Sequence, residues 1–223
     1  MKIIGMIPAR LGSQRLPRKN LRTIAGVPLV RYAMRRCKTA KGLSEIWVNS
    51  ESEEIGRLAT LEGVRFHRRP DVLATNDATS EEFVHEFLLA HACDWLVQVH
   101  SISPLLTPEQ ITAFAGFVAA SDADVVLSVV PERIECLFEG KPVNFSLERK
   151  ENSQDLSPVH RVTWSITGWR RSTYLEARSA GRCATYAGRI ALFPVDRAAG
   201  HIIKTEEDLR FAQTLLEASR ELR

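Results

Sequence analysis

The chain has 223 residues, 44% of them hydrophobic and 26% charged, with a formal net charge of +3, which suits one globular domain and excludes a disordered or collagen-like chain. Its four cysteines, Cys37, Cys93, Cys136 and Cys183, form no C-x-x-C pair, which argues against a disulfide or zinc framework and for a reducing compartment. The apolar start Ile3-Ile4-Gly5-Met6-Ile7 is too short for a signal-peptide core and no run approaches the ~20 apolar residues of a membrane helix, so a cytoplasmic protein without a membrane partner is expected.

Strand and helix patterns alternate along the chain, which predicts a mostly parallel sheet with helices on both faces. Residues 2–8 read as a buried first strand. A basic loop follows, and a helix begins near Pro28 with Leu29, Val30, Ala33, Met34 and Cys37 on one side. Glu45–Asn49 is the second strand, and Ser50 with Glu53 has the spacing of a capping box for the next helix. Thr79 with Glu82 repeats that device before Phe83, Val84, Phe87 and Leu88. Trp95–Val99 is a third central strand, and Thr107-Pro108-Glu109-Gln110 opens another helix with Pro at its first position. Asp124–Val130 is the fourth strand. From Pro131 to Trp169 the helical period disappears, and the short mixed segments suggest a β-rich excursion from the sheet. Arg189–Phe193 reads as a late strand, and Thr205–Asp208 caps a last helix with a stripe of Leu209, Ala212, Leu215 and Leu216.

Charge is unevenly spread. No acidic residue precedes Glu45, whereas eleven Lys and Arg residues do, from Lys2 to Lys41. Arg31, Arg35, Arg36 and Lys38 fit a solvated helix face, but the cluster from Arg10 to Arg22 lies in a loop. In open α/β sheets ligands sit beyond the carboxyl ends of the strands, so this loop is a natural polyanion site. Gly12 permits close backbone approach, and Ser13, Arg10, Arg15 and Lys19 can surround a triphosphate. The loop matches neither G-x-x-x-x-G-K-S/T nor G-x-G-x-x-G, which disfavours a P-loop NTPase and a dinucleotide dehydrogenase.

The stretch Ile7 to Asn20 resembles the N-terminal signature of cytidylyltransferases that make CMP-activated acidic sugars, roughly I-P-A-R-x-G-S-K/Q-x-x-x-x-K-N, as in the acylneuraminate and 3-deoxy-manno-octulosonate enzymes. The resemblance implies that Arg10, Leu11, Gly12, Ser13, Lys19 and Asn20 meet the nucleotide. Arg69-Pro70, Leu73-Ala74, Asp77 and Thr79-Ser80 resemble the family's R-P-x-x-L-A-x-D-x-A-S/T-S segment, which implies that Arg69 and Ser80 hold the nucleoside. Ser103-Pro104-Leu105 and Thr107 resemble S-P-L-R-T, with Leu106 in place of the arginine. Gln154-Asp155-Leu156-Ser157-Pro158 resembles Q-D-L-P-P, which implies sugar contacts from Gln154 and Asp155. His100 stands where it can meet base or sugar, or simply bond its own loop, and Trp164 and Trp169 can stack on a ligand or fill a hairpin.

The resemblance also implies Mg²⁺, held by the aspartates of a D-I-D-T-x-E-D-like element. Ile202 and Lys204 occupy those two positions, so the metal ligands are unknown. Three readings stay open: Lys204 replaces a metal charge, Mg²⁺ rides on the triphosphate with a contact from Asp77 or Asp155, or the chain binds nucleotide without catalysis. The expectation is one Rossmann-like α/β domain over residues 1–223, with 131–169 serving substrate binding and homodimerisation. By resemblance it transfers CMP from CTP to a 2-keto sugar acid and releases pyrophosphate, with Arg10 and Lys19 meeting the phosphate charge, while Lys204, where the family pattern breaks, is expected to replace a metal aspartate in catalysis. The alternative is a degenerate nucleotide binder. Nucleic-acid binding ranks behind both, for want of an aromatic platform or recognition helix.

Overall fold

A computed structural model of the protein describes residues 1–221, with side chains as far as residue 218. β1 (Ile3–Pro8) is followed by a small hairpin, β2 (Thr23–Ile24) and β3 (Val27–Pro28). The hairpin turns on Ala25 and Gly26, whose φ angles of 47° and 75° match the twist of the paired strands. Then come α1 (Leu29–Thr39), β4 (Glu45–Ser50), α2 (Glu53–Leu61), β5 (Arg65–Arg68), α3 (Ser80–Ala90), β6 (Trp95–Val99), α4 (Pro108–Ala120) and β7 (Val125–Glu132). A second small hairpin, β8 (Leu137–Phe138) and β9 (Lys141–Pro142), precedes β10 (Val159–Arg170), α5 (Arg171–Ser179), β11 (Ile190–Pro194) and α6 (Glu206–Glu221).

Seven strands make the central sheet, in the order β11-β7-β10-β6-β1-β4-β5. All run parallel except β10, which is antiparallel to both β6 and β7. The expected mostly parallel sheet with helices on both faces is therefore present. Side chains alternate across the pleat. Ile3 and Ile7 of β1 join Val97 and Val99 of β6 under Val30, Met34, Ile55 and Phe114 of α1, α2 and α4. Ile4 and Met6 join Leu96 and Leu127 against Phe87, Leu88 and Tyr174 of α3 and α5. Among the described residues no helix is long and apolar enough to cross a membrane.

The two expected Thr caps form in full: Thr79 with Glu82 and Thr107 with Gln110 close reciprocal boxes, each contributing about 1 kcal/mol to its helix. Ser50 does not cap α2. It ends β4, and Ser52 is the cap, accepting from the Ile55 N–H, while Ser50 Oγ accepts from the Ser52 N–H. The stretch 131–169 also differs from expectation. The chain leaves the sheet after Glu132 and rejoins it at Val159, which pairs with Glu132, so Trp169 is a buried residue of a central strand. The mixed polar sequence of β10 hides a bulge between Val162 and Thr167, where Trp164 takes a φ of 60°.

Candidate functional site

The loop after β1 is anchored at both ends and by a small core of its own. Leu16, Ile24, Leu29, Leu105, Ile203 and Leu209 pack together, tying the loop to the β2–β3 hairpin, the start of α1 and α6. The Leu11 side chain packs on the main core, while its N–H donates to Glu51 Oε1 at 2.7 Å. Asn20, buried in the short 3-10 helix Lys19–Leu21, donates to the Arg10 carbonyl at 2.8 Å and accepts from Ser101 Oγ at 2.5 Å. Those bonds close the loop over the carboxyl ends of β1 and β6.

Under this loop lies a cavity of about 330 Å³, lined by Arg10, Gly12, Ser13, Lys19, Asn20, Arg69, Ser80 and His100 among others. Eight residues expected at the nucleotide site from separate parts of the chain thus share one cavity. A Cβ on Gly12 would meet no protein atom within 4 Å, so the missing side chain leaves its room to the cavity. The N-terminus of α3 also reaches the cavity through Ser80, and its free N–H groups favour an anion.

Part of the charge of the basic segment is neutralised by ion pairs and part is not. Arg31 and Arg35 pair with Glu62, Arg18 with Glu54, Arg22 with Glu206 and Lys2 with Glu45. Among the described residues Arg10, Arg15 and Lys19 pair with no carboxylate, and these three line the cavity. Arg10 donates to the carbonyls of Ala74 and Thr75, and Lys19 Nζ to that of Ile203 at 3.3 Å. Burial, then Arg15, Arg10 and Lys204, push the Lys19 ammonium below its ordinary pKa, against a weaker pull from Asp208. Like charges near enough to act on Lys19 in this way would be relieved by an anion.

Arg69 forms a wall of the cavity although only 2% of its surface is exposed. Its guanidinium donates to the Asn49 carbonyl at 3.0 Å and to Asn49 Oδ1, and it stacks 4.1 Å above the Phe83 ring. Burial lowers its pKa to about 10, with Glu51 opposing. His100 forms part of the floor. Its backbone N–H donates to Ser165, and its Nε2 meets the Gln98 amide at 2.5 Å. Burial, with the Lys19 charge, depresses its pKa to about 4, so the ring is neutral at pH 7.

A second cleft of about 700 Å³ adjoins the first and shares Ile102 with it. Its lining includes Arg161, Trp164, Arg197, His201, Lys204 and Asp208. Arg161 pairs with Glu132 at 2.9 Å, whereas Arg197 and Lys204 have no ion pair among the described residues. Asp208 Oδ2 accepts from the N–H groups of Lys204 and Thr205, both at 2.8 Å, and from Thr205 Oγ1 at 2.9 Å. Burial raises that carboxyl's pKa, but these bonds outweigh it and the net shift is downward. Lys204 therefore lies in the second cleft, beside Lys19 rather than among the residues of the first. Gln154 and Asp155 line neither cleft. The Gln154 carbonyl accepts from Arg133, which pins the excursion, and Asp155 sits on an exposed turn with Asn152.

The first cavity offers a divalent cation no carboxylate of its own. Among the described residues no three His, Cys, Asp or Glu side chains are grouped as a metal site, and the residues lining the first cavity include no carboxylate. Sequence reasoning missed Asn49, Glu51, Phe83 and Ser101, which hold the site together. The available signal was the position of Asn49-Ser50-Glu51 at the carboxyl end of a central strand.

Comparison with known proteins bears on the family and the fold. The family profile described as Cytidylyltransferase matches residues 4–179. N-acylneuraminate cytidylyltransferase A of Danio rerio is 30% identical over 167 residues, covering 73% of this chain and 38% of that protein. The 3-deoxy-manno-octulosonate cytidylyltransferase of Bdellovibrio bacteriovorus is 35% identical over 116 residues, covering 52% of this chain and 45% of that one. The chain thus spans less than half the length of these curated relatives. A solved structure described as CMP:2-keto-3-deoxy-manno-octonic acid synthetase complexed with CTP shares the fold, with a TM-score of 0.74, 17% identity, and coverage of 98% of this chain and 100% of that one.

Proposed function

Because the chain belongs to the cytidylyltransferase family, we propose that it joins CMP from CTP to a 2-keto sugar acid of the nonulosonate type. The sugar's anomeric oxygen attacks the α-phosphorus, the bond from that phosphorus to the bridging oxygen breaks, and pyrophosphate leaves with the electron pair. The hydroxyl proton passes to solvent. Catalysis of this kind is mainly positioning and charge neutralisation, the two tasks the loop after β1 suits. Arg10 and Lys19 meet the phosphates, with Lys204 beside Lys19. Ser13 and Asn20 orient the nucleotide, and Arg69 and Ser80 hold the nucleoside. The sugar acid occupies the second cleft, with Trp164 as an apolar wall.

The observation that carries this reading is the shared cavity in which Arg10, Arg15, Lys19 and Arg69 converge with no carboxylate among the lining residues. The test is pyrophosphate release from CTP offered a panel of 2-keto sugar acids, with ATP, GTP and UTP as controls. Release that needs both CTP and a sugar acid supports it; no release with any pair refutes transfer. CTP binding without release would leave the second reading, a nucleotide binder, which Ile202 and Lys204 at the positions of the implied aspartates favour.

A homodimer joined through the excursion belongs to the same proposal. Leu137, Phe138, Val143 and Leu147 are exposed apolar residues on it, the kind of patch that marks an interface. Light scattering on the wild type and on Phe138→Asp would show a dimer and its loss; a wild-type monomer would refute the proposal.

A further inference from the structure

Granted the nucleotide reading above, we infer that the cleft takes its nucleoside triphosphate as the metal-free polyanion, with Arg10, Arg15, Lys19 and Lys204 meeting the charge that a protein-held divalent cation would otherwise meet. Three observations converge on it. The residues lining the first cavity include four cationic side chains and no carboxylate. Such a wall repels a free cation and attracts the most highly charged form of its ligand. Next, the carboxylates beside these cations each hold a hydrogen bond or an ion pair through one oxygen, and of the rest only Glu51 Oε2 is buried without a partner among the described residues. Asp208 Oδ2 accepts three hydrogen bonds at the start of α6, Glu206 pairs with Arg22 at 2.6 Å, and Glu51 Oε1 holds the Leu11 N–H. Mg²⁺ on a nucleotide takes its ligands from phosphate, water and one or two carboxylates, and drawing Asp208 away from its three donors to serve as one would uncap the helix that packs Leu209 and Ala212 under the loop.

The third observation concerns Lys204. Its backbone N–H is fixed by Asp208, so the chain direction there is set, yet its side chain is exposed and has no ion pair among the described residues. It stands close enough to Lys19 to weaken that group's hold on its proton. Two ammonium groups so arranged are mutually unfavourable in the empty cleft. They become favourable when phosphate oxygens lie between them, each taking a charge-assisted hydrogen bond. A magnesium complex of the nucleotide carries two fewer negative charges and offers fewer free oxygens, so it is the poorer ligand for this wall.

The experiment is calorimetric titration of the full chain with CTP, once in EDTA and once in millimolar Mg²⁺, at matched ionic strength because exposed charges are screened by salt. The expected result is binding about tenfold tighter in EDTA, the factor expected from about one charge-assisted contact. Lys204→Ala should erase most of that advantage by weakening binding in EDTA. Lys204→Asp, which supplies a carboxylate, should make Mg²⁺ favourable. Equal or tighter binding of CTP to the wild type in Mg²⁺ overturns the inference while leaving the nucleotide reading intact. Should Asp77→Asn then abolish that preference, the exposed Asp77 carboxylate would be the ion's contact. Absence of binding in both conditions, with the protein folded by circular dichroism, overturns the nucleotide reading and this inference together.

Discussion

The two clefts share Ile102 but differ in how their polar side chains are held. In the first, Arg69 is fixed on Asn49 and Phe83, Asn20 bridges the Arg10 carbonyl and Ser101, and Lys19 reaches the Ile203 carbonyl. In the second, Arg161 pairs with Glu132, but among the described residues the Arg197 and Lys204 side chains have neither a hydrogen bond nor an ion pair, and the lining includes a bulged strand with Trp164 in a left-handed conformation. One cleft is organised before its ligand arrives, which lowers the ordering cost of binding. The other leaves its cations to be ordered by what binds. Under the proposed function, the first construction suits a nucleotide that does not vary and the second suits sugar acids that vary in their substituents.

That contrast is broken or sharpened by four variants. The largest effect is expected from Arg69→Ala, which strands the buried Asn49 amide and empties the space above Phe83. Urea unfolding should show a loss of about 3 kcal/mol, and a loss below about 1 kcal/mol would mean the first cleft is not held through this residue.

His100 gives the next effect, read through pH. Its folded pKa of about 4 lies below the ordinary 6.5, so in that interval the unfolded chain binds the extra proton. Its share of stability is thus complete above pH 6.5 and is lost as pH falls toward 4, a change of about 2 kcal/mol once the half-buried position of the residue is allowed for. The lowered carboxylates of Glu45 and Glu62 start from 4.5 and lose their contribution at lower pH, so the windows separate. In His100→Gln the slope of the urea midpoint between pH 6.5 and 4.5 should flatten, leaving the smaller part due to His91, whose pKa is also lowered by burial.

Gly200→Ala probes the second cleft. A Cβ there collides with Val130 and comes within 3.0 Å of Thr163 Cγ2, so overpacking should cost about 2 kcal/mol. A neutral result in thermal melts would show that the bulged wall yields easily. Arg197→Ala is the smallest: an exposed, unpaired cation should leave stability within about 0.5 kcal/mol while raising the KM for the sugar acid and not for CTP. Equal effects on both would erase the division of labour between the clefts.

How much of this was legible in the sequence depended on whether the deciding contacts were local. The central strands announced themselves as apolar runs, and Thr79 and Thr107 announced α3 and α4, because a capping box is written within four residues. α5 starts directly from β10 at Arg170, which has no side-chain cap bond, so no punctuation marked it. The edge strand β5 reads Arg-Phe-His-Arg, with little apolar sequence to reveal pairing with β4. β10 was concealed by its bulge, which interrupts the alternation that identifies a strand. At the site, the loop from Arg10 to Asn20 was readable because it is contiguous. Asn49, Glu51 and Phe83 were not, since each acquires its role only when α3 and the ends of β1 and β4 meet in space.

The pairing of Val159 with Glu132 has a consequence for how such a protein can be remade. The chain between them departs and returns at one point of the sheet, as an insert does between two adjacent posts. Each halving of such a connection changes its closure entropy by only about 0.6 kcal/mol, so its length is weakly constrained by the rest of the molecule. Residues 133–158 thus join two paired residues of the seven-stranded sheet, so their number is free to change with little cost to the frame that carries the basic loop.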